Sequence, residues 1–328
     1  GKVVASAAMG GNSSFAIVPM TYAEGMVFVG LSNGRVQAFN AETLESLWVY
    51  KDPLGGQPNC PITYSNGYIY TGFWSGEKKD ANYSCISVTD EDPENPTEAK
   101  LPTWVYTKKG GFYWAEAYVT DDYLFIGTDD GEYGYVTGYA SLLSINKNDG
   151  TVKDSVTMPF TGDIRCCVVQ DGGKLYFTSK GGYFYSVEID EESGDILEDT
   201  LKYIKLDNYH DQPKAPAMST SSPTIYNGRA YVGVSGISQF GMYSGHNITV
   251  IDLNNWEIAY SVPTQGYPQT SAVLTTAYGN DGTVYIYMFD NFTPGKLRIL
   301  CDKPGATAPL NGTVEETYVN PNNGITEH

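Results

Sequence analysis

The chain is 328 residues long and carries 38 acidic against 20 basic side chains, a net charge of −18. Such a surface repels a phosphate backbone, which argues against nucleic acid and anionic membranes as direct partners. The sequence contains no run of about 18 apolar residues that could cross a bilayer as a helix. Charged residues make up only 18% of the chain, whereas 27 Tyr, 36 Gly and 17 Pro favour strands joined by tight turns, so the expected class is all-β.

Strands are predicted near 15–22, 26–31, 35–39 and 46–51, separated by Glu24-Gly25, Asn33-Gly34 and a longer turn. The same order then recurs. Val18-Pro-Met-Thr-Tyr-Ala-Glu-Gly-Met-Val-Phe-Val-Gly30 aligns without a gap on Cys60-Pro-Ile-Thr-Tyr-Ser-Asn-Gly-Tyr-Ile-Tyr-Thr-Gly72. The acidic stretch Asp90-Glu-Asp-Pro-Glu-Asn-Pro96, within 85–104, reads as a long loop inside the second unit. Weaker copies begin at Glu116 and at Cys166, a clear one at Ser222 (Ser222-Pro-Thr-Ile-Tyr-Asn-Gly-Arg-Ala-Tyr-Val-Gly233), and a last one near Leu274.

Units of four antiparallel strands, spaced about 42 to 55 residues apart, are the signature of propeller blades. The expectation is therefore one β-propeller domain over 1–328, with six blades near 13–51, 58–108, 114–159, 164–206, 220–264 and 270–321. Seven or eight blades would need residues beyond this sequence.

The stretch Val27-Phe-Val-Gly-Leu-Ser-Asn-Gly-Arg-Val-Gln-Ala-Phe-Asn-Ala-Glu-Thr-Leu-Glu-Ser-Leu-Trp48 resembles the repeat of the pyrroloquinoline-quinone (PQQ) propeller family, in which a strand, a turn, an A-l-d strand and a t-G turn lead to a closing Trp. The t-G position holds Leu44, Gly150, Gly194 and Trp256 in units one, three, four and five. The closing Trp is kept as Trp48 and Trp104, becomes Tyr260, and is replaced by Asp154 and Glu198. The resemblance implies a quinoprotein-type propeller whose docking motif has eroded.

It also implies two alternative functions. Members without quinone act as non-enzymatic binding scaffolds of the bacterial cell surface or envelope, which predicts a protein or glycan partner, no cofactor, and an exported, extracellular or periplasmic chain whose leader has been removed. The quinoprotein dehydrogenases instead imply PQQ and calcium, and some place a disulfide between neighbouring cysteines, as Cys166-Cys167 would allow.

In a propeller the first strand of each blade lines the central channel, which predicts a tier of Val18, Cys60, Glu116, Cys166, Ser222 and Leu274. Candidate binding residues at the channel mouth are then Glu116, Arg165, Trp114, Cys166 and Cys167. Arg165 is placed to pair with Glu116 or Asp163, and Asp129-Asp130 offers further loop carboxylates. Cys166 falls where Cys60 and Ser222 stand, a position suited to a small buried side chain.

Other chemistry is poorly supported. The five cysteines are odd in number and lack a C-x-x-C pair, so neither a zinc site nor a disulfide framework is indicated. His210 and His246 read as loop residues without a catalytic relay. The acidic turns at Asp149, Asp190–Asp195 and Asp281 lack calcium-loop spacing. Loop aromatics Phe73-Trp74, Phe112-Tyr113-Trp114, Tyr133, Tyr135 and Phe240–Tyr243 either pack between blades or stack on a ligand.

Overall fold

The structure is a computed structural model describing residues 2–13, 18–134, 136–207, 217–236, 245–291, 295–310 and 314–317, the last four by their backbone. It divides into two compact units: one runs through Arg165 and includes Asp190–Ile196, and the other holds Cys166–Ile189 and the chain from Leu197 onward.

The first unit contains three sheets. The first orders β1 (Thr21–Ala23), β2 (Met26–Leu31), β3 (Arg35–Asn40) and β4 (Ser46–Lys51), with β8 (Glu98–Lys100) added in parallel to β4. The second orders β5 (Thr63–Ser65), β6 (Tyr68–Gly72), β7 (Asp80–Ser87) and β9 (Trp104–Lys109). The third orders β10 (Tyr118–Val119), β11 (Tyr123–Gly127), β12 (Ser141–Asn146) and β13 (Val152–Thr157).

The other three sheets are built mainly from the second unit. β14 (Val169–Asp171), β15 (Lys174–Thr178), β16 (Tyr183–Asp190) and β17 (Asp195–Lys205) form one; the tip joining its last two strands belongs to the first unit. β18 (Ala217–Met218), β19 (Thr224–Tyr226), β20 (Arg229–Gly236), β21 (Asn247–Asp252) and β22 (Glu257–Pro263) form the next. β23 (Val273–Thr275), β24 (Val284–Asp290), β25 (Lys296–Asp302) and β26 (Val314–Thr317) form the last. The described residues thus form six sheets in chain order, four of four antiparallel strands and two with a fifth strand added to such a set.

The first strand of the first unit, expected near 15–22, is β1 at Thr21–Ala23 among the described residues. Residues 14–17 lie outside the described residues, and Pro19 then lacks the N–H that a ladder needs. Pro61 and Pro223 likewise precede β5 and β19. The following turns are tight because both central residues take positive φ: Glu24-Gly25 at 49° and 75°, Asn66-Gly67 at 49° and 82°, and Asn227-Gly228 at 48° and 74°.

The repeat also explains how neighbouring sheets dock. Trp48 is fully buried, and its Nε1 donates to the Val88 carbonyl beyond β7 at 3.2 Å; Trp104 Nε1 does the same to the Lys147 carbonyl beyond β12 at 2.7 Å. A Cβ on Gly150 would come within 2.6 Å of the Trp104 ring, so the t-G glycine of one unit is the floor for the tryptophan of the unit before it. Leu44, Gly150, Gly194 and Trp256 all keep the left-handed backbone (φ 60°, 74°, 76° and 56°), even where glycine has been lost. Asp154, standing where the third unit lacks its Trp, accepts a hydrogen bond from Ile196 N at 2.8 Å, and Tyr123 takes the place of the indole over Gly194.

Candidate functional site

Strand alternation brings four connections of the first unit to one end of its second and third sheets: residues 73–79 after β6, 110–117 after β9, 128–140 after β11 and 158–165 after β13. Backbone bonds stitch them together. Phe112 N donates to Phe73 O at 3.1 Å, Asp129 N to Gly111 O at 3.2 Å, and Ile164 N to Thr128 O at 3.0 Å. Phe73 and Phe112 are wholly buried and anchor these loops in the core.

Arg165 lies at the centre. Its Nε donates to Asp129 Oδ1 at 3.0 Å, and its Nη2 reaches Asp129 Oδ2, Asp163 Oδ2 at 2.9 Å and Glu77 Oε1 at 3.1 Å. The guanidinium carbon sits 4.6 Å from the Tyr113 ring centre and 5.9 Å from that of Trp74, within reach of a cation–π attraction. Tyr113 in turn contacts Trp74 edge-on at 5.0 Å and Trp114 at 4.5 Å. Trp114 holds a φ of 55°, a conformation costing a bulky side chain about 1–3 kcal/mol, of the kind that gathers at ligand clamps.

The carboxylates outnumber the guanidinium they share. Burial and the neighbouring Asp129 charge push Asp163 well above the ordinary carboxylate range, against the pull of Arg165. Burial opposes the charge on Arg165, but Asp129 and Asp163 more than offset this and hold it ionised. Glu77, Asp129 and Asp163 each offer an oxygen within 4.8 Å of the others, a spacing able to hold a cation, and the Arg165 guanidinium already lies against all three.

Of the residues expected at a channel mouth, Arg165 and Trp114 each contact Tyr113, and Arg165 pairs with Asp163 as well as with Asp129 and Glu77. Glu116 instead lies 3.5 Å from the Thr63 hydroxyl. Cys166 and Cys167 belong to the second unit. Cys166 is a buried free thiol against Thr178, raised to about 11 by burial, as Cys60 is raised to about 12, so no disulfide joins Cys166 to Cys167. The Cys167 backbone donates to Ser222 Oγ at 2.8 Å. His246 is not merely a loop residue: its Nδ1 lies 2.8 Å from Ser235 Oγ and its ring stacks on Tyr267. His210, Tyr135 and Phe240–Tyr243 lie outside the described residues. Glu77 has no signal of its own in the sequence beyond following the aromatic pair Phe73-Trp74.

No family model matches the chain, and no curated protein matches it. Solved structures do. BamB from Moraxella catarrhalis superposes with a TM-score of 0.57 at 13% identity, covering 92% of this chain and 76% of that one. The chain is a β-propeller. A europium-containing methanol dehydrogenase gives 0.60 at 10% identity over 90% and 71% of the two chains. The Pan2 WD40 domain of Neurospora crassa gives 0.53 at 10% over 92% and 79%. At these identities the likeness concerns the propeller fold, which serves scaffolds and enzymes alike. No helix among the described residues is long and apolar enough to cross a membrane.

Proposed function

We propose that this propeller is a non-enzymatic binding scaffold of the bacterial cell surface or envelope that recognises a protein or glycan partner through the loop end of its second and third sheets. The observation that carries this reading is the half-buried run Trp74, Tyr113 and Trp114, braced from beneath by Arg165. Rigid aromatic rings held by a scaffold supply contact area at low entropic cost.

The acids beside them are committed to Arg165, which speaks against a glycosidase-like acid and nucleophile pair. Charge also speaks against PQQ at this loop end unless a cation such as calcium bridges the acids. Three quinone carboxylates would face Glu77, Asp129 and Asp163, with a single arginine already shared among them. Similarity to BamB and to a WD40 domain supports the scaffold reading only at the level of fold.

Calorimetric titration of the metal-stripped protein with PQQ, with and without calcium, tests the proposal. No heat is expected in either titration. Calcium-dependent binding that disappears in Glu77→Gln would overturn the scaffold reading in favour of a quinoprotein.

A further inference from the structure

Three of the described turns are Asn-Gly pairs: Asn33-Gly34, Asn66-Gly67 and Asn227-Gly228. All six residues take positive φ, between 48° and 82°, and each of the three asparagines is exposed to water. Glycine has no Cβ to shield its backbone nitrogen from the carboxamide before it. When that nitrogen attacks the Asn Cγ, the Cγ–Nδ2 bond breaks and a succinimide ring closes, the glycine proton leaving with the ammonia. Water then opens the ring to aspartate or isoaspartate, so solvent is the only co-reactant.

The attack needs a glycine N–H that is free to deprotonate, and here the three turns differ. Gly34 is buried, and its N donates to Gly56 O at 2.7 Å. Gly67 N donates to Tyr64 Oη at 3.1 Å. Gly228 N has no hydrogen-bond partner among the described residues; only its carbonyl is held, by Leu253 N at 2.9 Å. The local sequence favours the opposite order, because small Ser32 and Ser65 precede Asn33 and Asn66, whereas bulky Tyr226 precedes Asn227. The difference therefore belongs to the fold.

We infer that Asn227 is a self-modification site, which in the folded protein deamidates ahead of Asn33 and Asn66 and turns a neutral hairpin tip into an anionic one. Asn227 Nδ2 lies 3.9 Å from where a Cβ on Gly282 would stand, so this tip adjoins the turn between β23 and β24, which carries Asp281. Both turns belong to the second unit. Deamidation sets a new carboxylate against that acidic turn, and like charges at close range repel. Isoaspartate also lengthens the backbone between Tyr226 and Arg229, which pair across the hairpin.

The test is incubation of the folded protein at mildly alkaline pH, with peptide mapping by mass spectrometry to follow conversion of amide to carboxyl at each site. Asn227 should convert faster than Asn33 and Asn66 by about fivefold or more, the factor that one ordinary hydrogen bond is worth. Tyr64→Phe keeps the ring but removes the acceptor of Gly67 N, so it should raise the rate at Asn66 toward that at Asn227 and leave Asn227 unchanged. In urea the preference for Asn227 should vanish. Equal rates at the three sites of the folded protein, or a preference for Asn227 that persists in urea, overturns the inference. A rate at Asn66 unmoved by Tyr64→Phe overturns the role given to the glycine N–H.

Discussion

Arg165 shows why a buried charge has to be read together with its partners. It is 3% exposed and is shared by Asp129, Asp163 and Glu77, so removing it would leave acids stranded in a medium that solvates them poorly. Arg165→Ala is expected to cost about 3–5 kcal/mol, the range for removing one partner of a buried ionic network. Urea unfolding measures this, and a loss below about 1 kcal/mol would mean that water reaches the acids and screens them. Part of the cluster was visible in the sequence, because Asp163 and Arg165 are close neighbours in a segment between strands. Glu77 was not: it lies 88 residues from Arg165, and nothing in its immediate surroundings signals a partner. Adjacency of Cys166 and Cys167 says nothing about the environment of a thiol, whereas the alignment of Cys166 with Cys60 and Ser222 marks a small side chain, and Cys166 is buried against Thr178.

At the scale of elements, the repeat was legible because its turns, its Thr and its closing Trp have physical duties. Thr21 Oγ1 donates to Ile62 O at 2.6 Å, and Thr224 Oγ1 to Ala272 O at 2.7 Å, so the Thr of the repeat ties one sheet to the next. The erosion of the motif was also legible, but not its compensation. Asp154 and Tyr123 replace the indole contact by means that no pattern based on Trp could reveal. The added strand β8 was hidden for a similar reason. It lies in a stretch that composition marks as an acidic loop, and it is fastened by Lys100, whose ammonium pairs with Glu91 at 3.1 Å while lying 5.8 Å from the Trp48 ring. Trp48 therefore supports the sheet beside it as well as its own. Trp48→Ala should destabilise the protein by about 3–5 kcal/mol, as expected for a fully buried large aromatic. Chemical denaturation checks the value, and a change well under about 1 kcal/mol would mean that the sheets dock without the indole.

For the whole molecule, the charge of −18 and the buried acid Asp163 act in the same direction on stability. Asp163 has its folded-state pKa raised above the ordinary value of 3.8, so the folded chain holds a proton that the unfolded chain releases. Stability then falls as pH rises from about 4 toward the folded-state pKa, because over that interval the native state binds more protons than the unfolded one. Excess negative charge adds to the fall by self-repulsion, and added salt screens that part much more than the buried one. Asp163→Asn keeps the shape of the side chain and removes the titration. The melting temperature of the wild type, followed from pH 4.5 to 8 at about 0.5 M salt, is expected to decline with rising pH, and that of Asp163→Asn to decline less. Parallel curves would mean that Asp163 is ionised in the folded protein and that Arg165 neutralises it fully. A shallower slope in the variant would locate the proton at the centre of the candidate site.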